Sequence, residues 1–130
     1  GALILAEAGL KRLGLSDRIA YRFSPEELVP AAGQGILAIQ TRAGEYADLL
    51  ARLNSPDGAL CAKTERQLAS LLGGDCSAPV GCHAQLHRTD MTLYGFSGIG
   101  GVPRYGSVQG NRNDADLLVQ QLASKLTITE

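Results

Sequence analysis

Residues 80–87 alternate. Val80, Cys82, Ala84 and Leu86 point one way and Gly81, His83, Gln85 and His87 the other, as in a strand covered on one face. Thr89-Asp90 is a predicted turn, followed by strands over Met91–Ser97 and Arg104–Gly110. The glycine-rich run Gly98-Ile99-Gly100-Gly101 joins the last two, and such short connections imply antiparallel neighbours. Before and after this region the period changes to that of a helix. Residues 57–72 place Leu60, Thr64, Leu68, Leu71 and Leu72 on one side, and Ser55-Pro56-Asp57 supplies a cap, a proline at the first position and an acid in the first turn. After Asn113, which is expected to cap, Ala115, Leu118, Val119, Leu122, Ala123 and Leu126 form a second apolar stripe. Residues 55–126 thus read helix, three antiparallel strands, helix: a complete α+β unit with both helices on one sheet face.

The first 54 residues do not close on themselves in this way. Ala2-Leu3-Ile4-Leu5 suits a strand end, and residues 6–13 suit a helix stopped by Gly14, with Lys11 and Arg12 where positive charge favours the helix dipole. Ser24-Pro25-Glu26-Glu27 has the spacing of a capping box. Pro30-Ala31-Ala32-Gly33-Gln34-Gly35 is a loop, then Ile36–Thr41 reads as a strand with no partner in the segment. Residues 45–53 read as a helix.

Composition narrows the classes. Hydrophobic residues make up 45% and charged ones 19%, so a core is expected. The net charge is -1 and tryptophan is absent, which argues against nucleic acid as a partner. No apolar run is long enough for a bilayer, no secretory pattern is seen, and three cysteines suit reduced thiols, so a cytoplasmic protein is expected. The Gly-Ala start without methionine suggests a truncated or processed chain.

Cys76 is the candidate of most interest. Gly73 and Gly74 can close the preceding helix, and Pro79 holds Ala78 extended. A thiol on so restricted a turn suits a nucleophile or an attachment point, but the local sequence alone favours a small side chain filling a gap. Metal is not expected: Cys82 lies on the opposite strand face from His83 and His87, and no Cys-x-x-Cys occurs. A thiol-redox reading predicts instead a reversible Cys76–Cys82 disulfide. Cys61 lies on a helix and reads as packing.

Three motifs in order carry a resemblance. They are Pro30-Ala-Ala-Gly-Gln-Gly-Ile-Leu-Ala-Ile-Gln-Thr-Arg42, Glu65-Arg66, and Leu72-Gly-Gly-Asp-Cys-Ser-Ala-Pro-Val-Gly81. Together with Ala8–Leu15 they resemble the porphobilinogen deaminase (hydroxymethylbilane synthase) family over nearly the whole chain, which looks like its C-terminal two-fifths or so. The resemblance implies two α/β lobes and a third, α+β domain. Residues 1–28 would end the second lobe, residues 29–54 would return into the first, and residues 55–130 would be the C-terminal domain. It further implies a dipyrromethane cofactor in thioether linkage to Cys76, with Arg12 holding cofactor or substrate carboxylates. The substrate would be porphobilinogen. The family's catalytic aspartate has no counterpart here, so no catalytic residue is assigned and the 130-residue chain is expected to be inactive alone. The intact enzyme is expected to be a monomer, while the exposed edge at 36–41 gives this chain a route to self-association. Asp75 departs from the small residue usual before the attachment cysteine, and a carboxylate there disfavours the thiolate. The competing class is a non-enzymatic α+β binding or regulatory module with a free thiol.

Overall fold

A computed structural model describes residues 1–73 and 77–127. Four helices are described: α1 (Glu7–Arg12), α2 (Ala47–Leu53), α3 (Pro56–Leu71) and α4 (Ala115–Leu126). Three strands, β1 (Val80–His87), β2 (Asp90–Ser97) and β3 (Arg104–Asn111), form an antiparallel sheet in the order β1-β2-β3. The chain is of the α+β class, and its sheet carries α3 and α4 on one face.

The core lies between those helices and that face. The register pairs Cys82 with Gly95, Ala84 with Leu93 and Leu86 with Met91 on one side of β2, and Gly95 with Gly106, Leu93 with Val108 and Met91 with Gly110 on the other. Leu68, Cys82, Met91, Leu93, Val119 and Leu122 are fully buried. The α4 stripe is buried as its spacing predicts. Glycines make room for it: a Cβ at Gly95 would come within 2.5 Å of Leu126, and one at Gly110 within 2.9 Å of Leu118. The helix therefore rides close to the sheet, its leucines seated where β2 and β3 carry no side chain.

Local details depart from expectation. The hairpin turn is Arg88-Thr89, one residue earlier than predicted, with Arg88 at φ 56°. Asn111 rather than Asn113 caps the last helical region, its side chain accepting from the Asn113 N–H at 2.9 Å. A 3-10 turn, Arg112–Asp114, intervenes before α4. Leu71 is 45% exposed, and α3 turns Glu65 inward.

The larger correction lies upstream. Residues 36–41 form no strand, and Leu37 is 98% exposed. Residues 2–5 form none either. A strand is stabilised by its neighbours rather than by backbone preference alone, and no described segment supplies one. By contrast, the Ser24 capping box forms in full: the Ser24 N–H donates to Glu27 Oε2 at 2.7 Å and the Glu27 N–H to Ser24 Oγ at 3.3 Å. Capping needs only local partners.

Candidate cofactor-anchoring site

The connection from α3 to β1 is fixed at both feet. Leu72 closes α3 by donating its N–H to the Leu68 carbonyl at 3.0 Å, and Gly73 follows at φ 74° with its N–H on Ser70. At the other foot the Pro79 carbonyl accepts from Gly98 at 2.8 Å, which ties the start of β1 to the end of β2. Gly74, Asp75 and Cys76 lie outside the described residues.

Glu65 has a role that the Glu65-Arg66 motif alone does not reveal. It is only 3% exposed, yet it is a carboxylate in mid-helix. Oε1 accepts from the Ala84 N–H at 2.9 Å and Oε2 from the Gly33 N–H at 2.8 Å. His83 Nδ1 lies 3.4 Å from Oε1. Burial pushes this carboxyl up, but the His83 ring and the Ala84 and Gly33 amides together outweigh it and hold the carboxyl below its usual range. One side chain of α3 therefore joins β1 to the loop of residues 30–35. A signal existed: Cys61, Glu65, Leu68 and Leu72 recur at helical spacing, with an acid in the stripe.

The same loop covers the free edge of β1. The Cys82 N–H donates to the Pro30 carbonyl at 2.8 Å. A Cβ on Gly81 would lie 2.6 Å from the Val29 carbonyl oxygen, so only glycine admits this approach. An open strand edge is thereby occupied. Farther along, Tyr94 on β2 reaches Glu26 at 3.5 Å.

Arg12 sits exposed in the last turn of α1. Its neighbour Lys11 pairs with Glu7 at 2.9 Å, and Arg22 pairs with the same carboxylate at 2.8 Å. Among the described residues Arg12 has no carboxylate partner, so its guanidinium is available to an anion. Gln34 is exposed beside Gly33.

The other thiols are packed. Cys82 is sealed in the core, and burial followed by the nearby Glu65 charge pushes its thiol up to about 12. A thiol in that setting is a poor redox partner. Cys61 packs partly buried against the core, and its thiol is also raised, chiefly by burial. His83 faces the other side of the sheet, stacked on Tyr94 with ring centroids 6.3 Å apart, and His87 is exposed.

Against this geometry, two family models match the chain in order. Residues 1–49 match "Porphobilinogen deaminase, dipyromethane cofactor binding domain", and residues 59–127 match "Porphobilinogen deaminase, C-terminal domain". The chain belongs to the porphobilinogen deaminase family. Among curated relatives, the porphobilinogen deaminases of Thiobacillus denitrificans and Chromobacterium violaceum are 43% and 46% identical, each over 129 residues. That of Ruminiclostridium josui is 38% identical over 127 residues. Each alignment takes in 96% of this chain, and the chain spans 42% of the first two relatives and 44% of the third. Among the described residues no helix is long and apolar enough to cross a membrane.

Proposed function

We propose that this chain is the C-terminal part of a cytoplasmic transferase of tetrapyrrole biosynthesis that condenses four porphobilinogen molecules into hydroxymethylbilane, releasing ammonia. The observation that carries this reading is the pair of collinear family matches on either side of residues 50–58. Residues 1–54 are segments of two α/β lobes, and residues 55–130 are the domain that anchors the cofactor. The intact enzyme is a monomer acting on a small molecule, without nucleic acid or membrane.

In this reading Cys76 carries a dipyrromethane, which when bound supplies the terminal pyrrole on which the product grows. The thiol sulfur is a soft nucleophile suited to forming a carbon–sulfur bond at the pyrrole methylene that ammonia leaves. The α3–β1 connection suits an anchor, since both of its feet are hydrogen-bonded to ordered elements. Arg12, exposed and without a carboxylate partner among the described residues, suits the acetate and propionate groups of such pyrroles. Glu65 acts through position: it holds the loop bearing Gln34 against the domain that bears the anchor.

The test is intact-mass measurement of the chain produced together with the upstream part of a close relative, then supplied with porphobilinogen. A dipyrromethane adduct that maps to Cys76 and is lost in Cys76→Ser supports the anchor. An unmodified thiol under the same conditions favours the non-enzymatic module. The 130-residue chain alone is expected to form no hydroxymethylbilane, because the proton-transfer carboxylate belongs to the upstream part.

A further inference from the structure

Glu65 is a buried charge without a fixed cation beside it. Its side chain is 4% exposed, and its two oxygens are taken by the Ala84 and Gly33 amides. A buried carboxylate is ordinarily balanced by a cation. Among the described residues no lysine or arginine pairs with it. Its ionisable partner is His83, whose Nδ1 lies 3.4 Å from Oε1. That separation is longer than a well-formed N–H···O bond, so a neutral ring adds little and the attraction depends on the ring's proton.

The pair stands where the two parts of the chain meet. Glu65 belongs to α3 and His83 to β1, while the Gly33 amide belongs to the upstream loop. The ring is 28% exposed, so a proton reaches it from solvent without unfolding. From β2, Tyr94 stacks on the ring and extends its hydroxyl to Glu26 of the upstream strip. Burial, then the Glu26 carboxylate, pushes that hydroxyl up. Around Glu65, burial first and the Glu65 charge second push up the Cys61 and Cys82 thiols. These three groups keep their protons through the neutral range, where an imidazole is the side chain suited to changing charge.

We infer that His83 is a positioning residue: its protonated ring completes the Glu65 staple and so sets, with pH, how firmly residues 26–33 are held against β1. The sign follows from the charges. A protonated ring favours the ionised Glu65 that accepts from Gly33, so the hold is strongest at mildly acid pH and weakens as pH rises and the ring gives up its proton. On the acid side Glu65, held below the usual glutamate range, ends the effect only where it takes up a proton itself. The inference does not rest on the cofactor reading, since a chain without any adduct tests it.

The test is amide hydrogen exchange by NMR on the isotope-labelled chain from about pH 5.5 to about pH 8.5, read as protection factors so that the intrinsic pH dependence of exchange divides out. The Gly33 and Cys82 N–H groups should lose about fivefold protection over that range, the size expected of an ion pair with one member open to water, and the midpoint should follow the His83 ring-carbon shift. The Leu93 amide, in the central strand, should show no such change. His83→Gln should hold the weaker protection at every pH, and His83→Lys, which keeps its charge throughout, should restore the stronger one. His87→Gln, at the other of the two histidines, should leave the profile as it is. A flat wild-type profile overturns the proposal. So does a profile that survives His83→Gln or disappears in His87→Gln. Equal protection in His83→Gln and His83→Lys would also overturn it, because charge would then not be the property that matters.

Discussion

Among the described residues, those from 55 to 127 contribute all twelve side chains of the buried apolar core, while those from 1 to 54 contribute no fully buried residue. The two regions do not differ in apolar content so much as in where the partners lie. Residues 36–39 are as hydrophobic as β2, yet they form no strand. The difference teaches that strand sequence becomes strand structure only when the facing surface is present. What does form upstream is short and local: one turn capped by its own Ser24 and Glu27, and the brief helices α1 and α2. Among the described residues, their hydrogen-bonded hold on the folded region is a strip from Glu26 to Gly33 along β1 and β2.

The largest expected effect comes from cutting the chain at that divide. Residues 55–130 alone should retain the sheet and a cooperative urea transition, weakened by the loss of partners for the Cys82 N–H and for one Glu65 oxygen. Residues 1–54 alone should show no cooperative transition. A sigmoidal unfolding curve from the shorter piece would break the comparison outright.

That contrast also explains what could be read before the structure. All three strands, α3 and the α4 stripe were legible because each carries its own period and finds its partner within some forty residues. The hairpin turn was misplaced by one, since Arg88 takes a left-handed conformation that residue preferences do not favour there. Asn111 and Asn113 offered the same chemistry two positions apart, and only the 3-10 turn decides between them. Glu65 belongs to a recognisable motif, but its role is hidden in the sequence, because both amides it binds are backbone groups distant in sequence. The glycine slot under α4 was equally silent: an absent side chain has no period. Of the candidate site, the availability of Arg12 and the sealing of Cys82 emerge from packing, and Cys76, the proposed attachment residue, lies outside the described residues.

Next in size is the staple itself. Glu65→Ala leaves the Ala84 and Gly33 amides without their acceptor and should cost about 3 kcal/mol, the range for removing a buried charged acceptor. Its pH dependence has a definite sign. The carboxyl is held below its usual range when folded, so its contribution is complete above the unfolded glutamate value of about 4.3 and is lost as pH falls through the lower, folded value. The wild-type chain should therefore lose stability on acidification in that window, and Glu65→Ala should lose less. Urea midpoints across an acid pH series check this, and parallel slopes for the two chains would remove Glu65 as the responsible group.

The smallest effect sharpens the comparison most, because it separates attachment from folding. Gly81 lies on the sheet face away from α3 and α4, and the nearest atom to an added Cβ is the Val29 carbonyl oxygen, a backbone atom that cannot turn aside as a leucine tip can. Gly81→Ala should therefore push the upstream strip off β1. Alanine gains about 0.5–1 kcal/mol over glycine in a strand interior, which offsets much of the lost contact, so overall stability should change by about 1 kcal/mol or less. Amide hydrogen exchange gives the discriminating readout. The Cys82 N–H, whose acceptor is the Pro30 carbonyl, should exchange faster, while the Ala84 N–H, held by Glu65 from within the folded region, should keep its protection. Equal loss at both amides would mean that Glu65 and the strip dock as one unit, and that the boundary between the two regions runs through α3 rather than ahead of it.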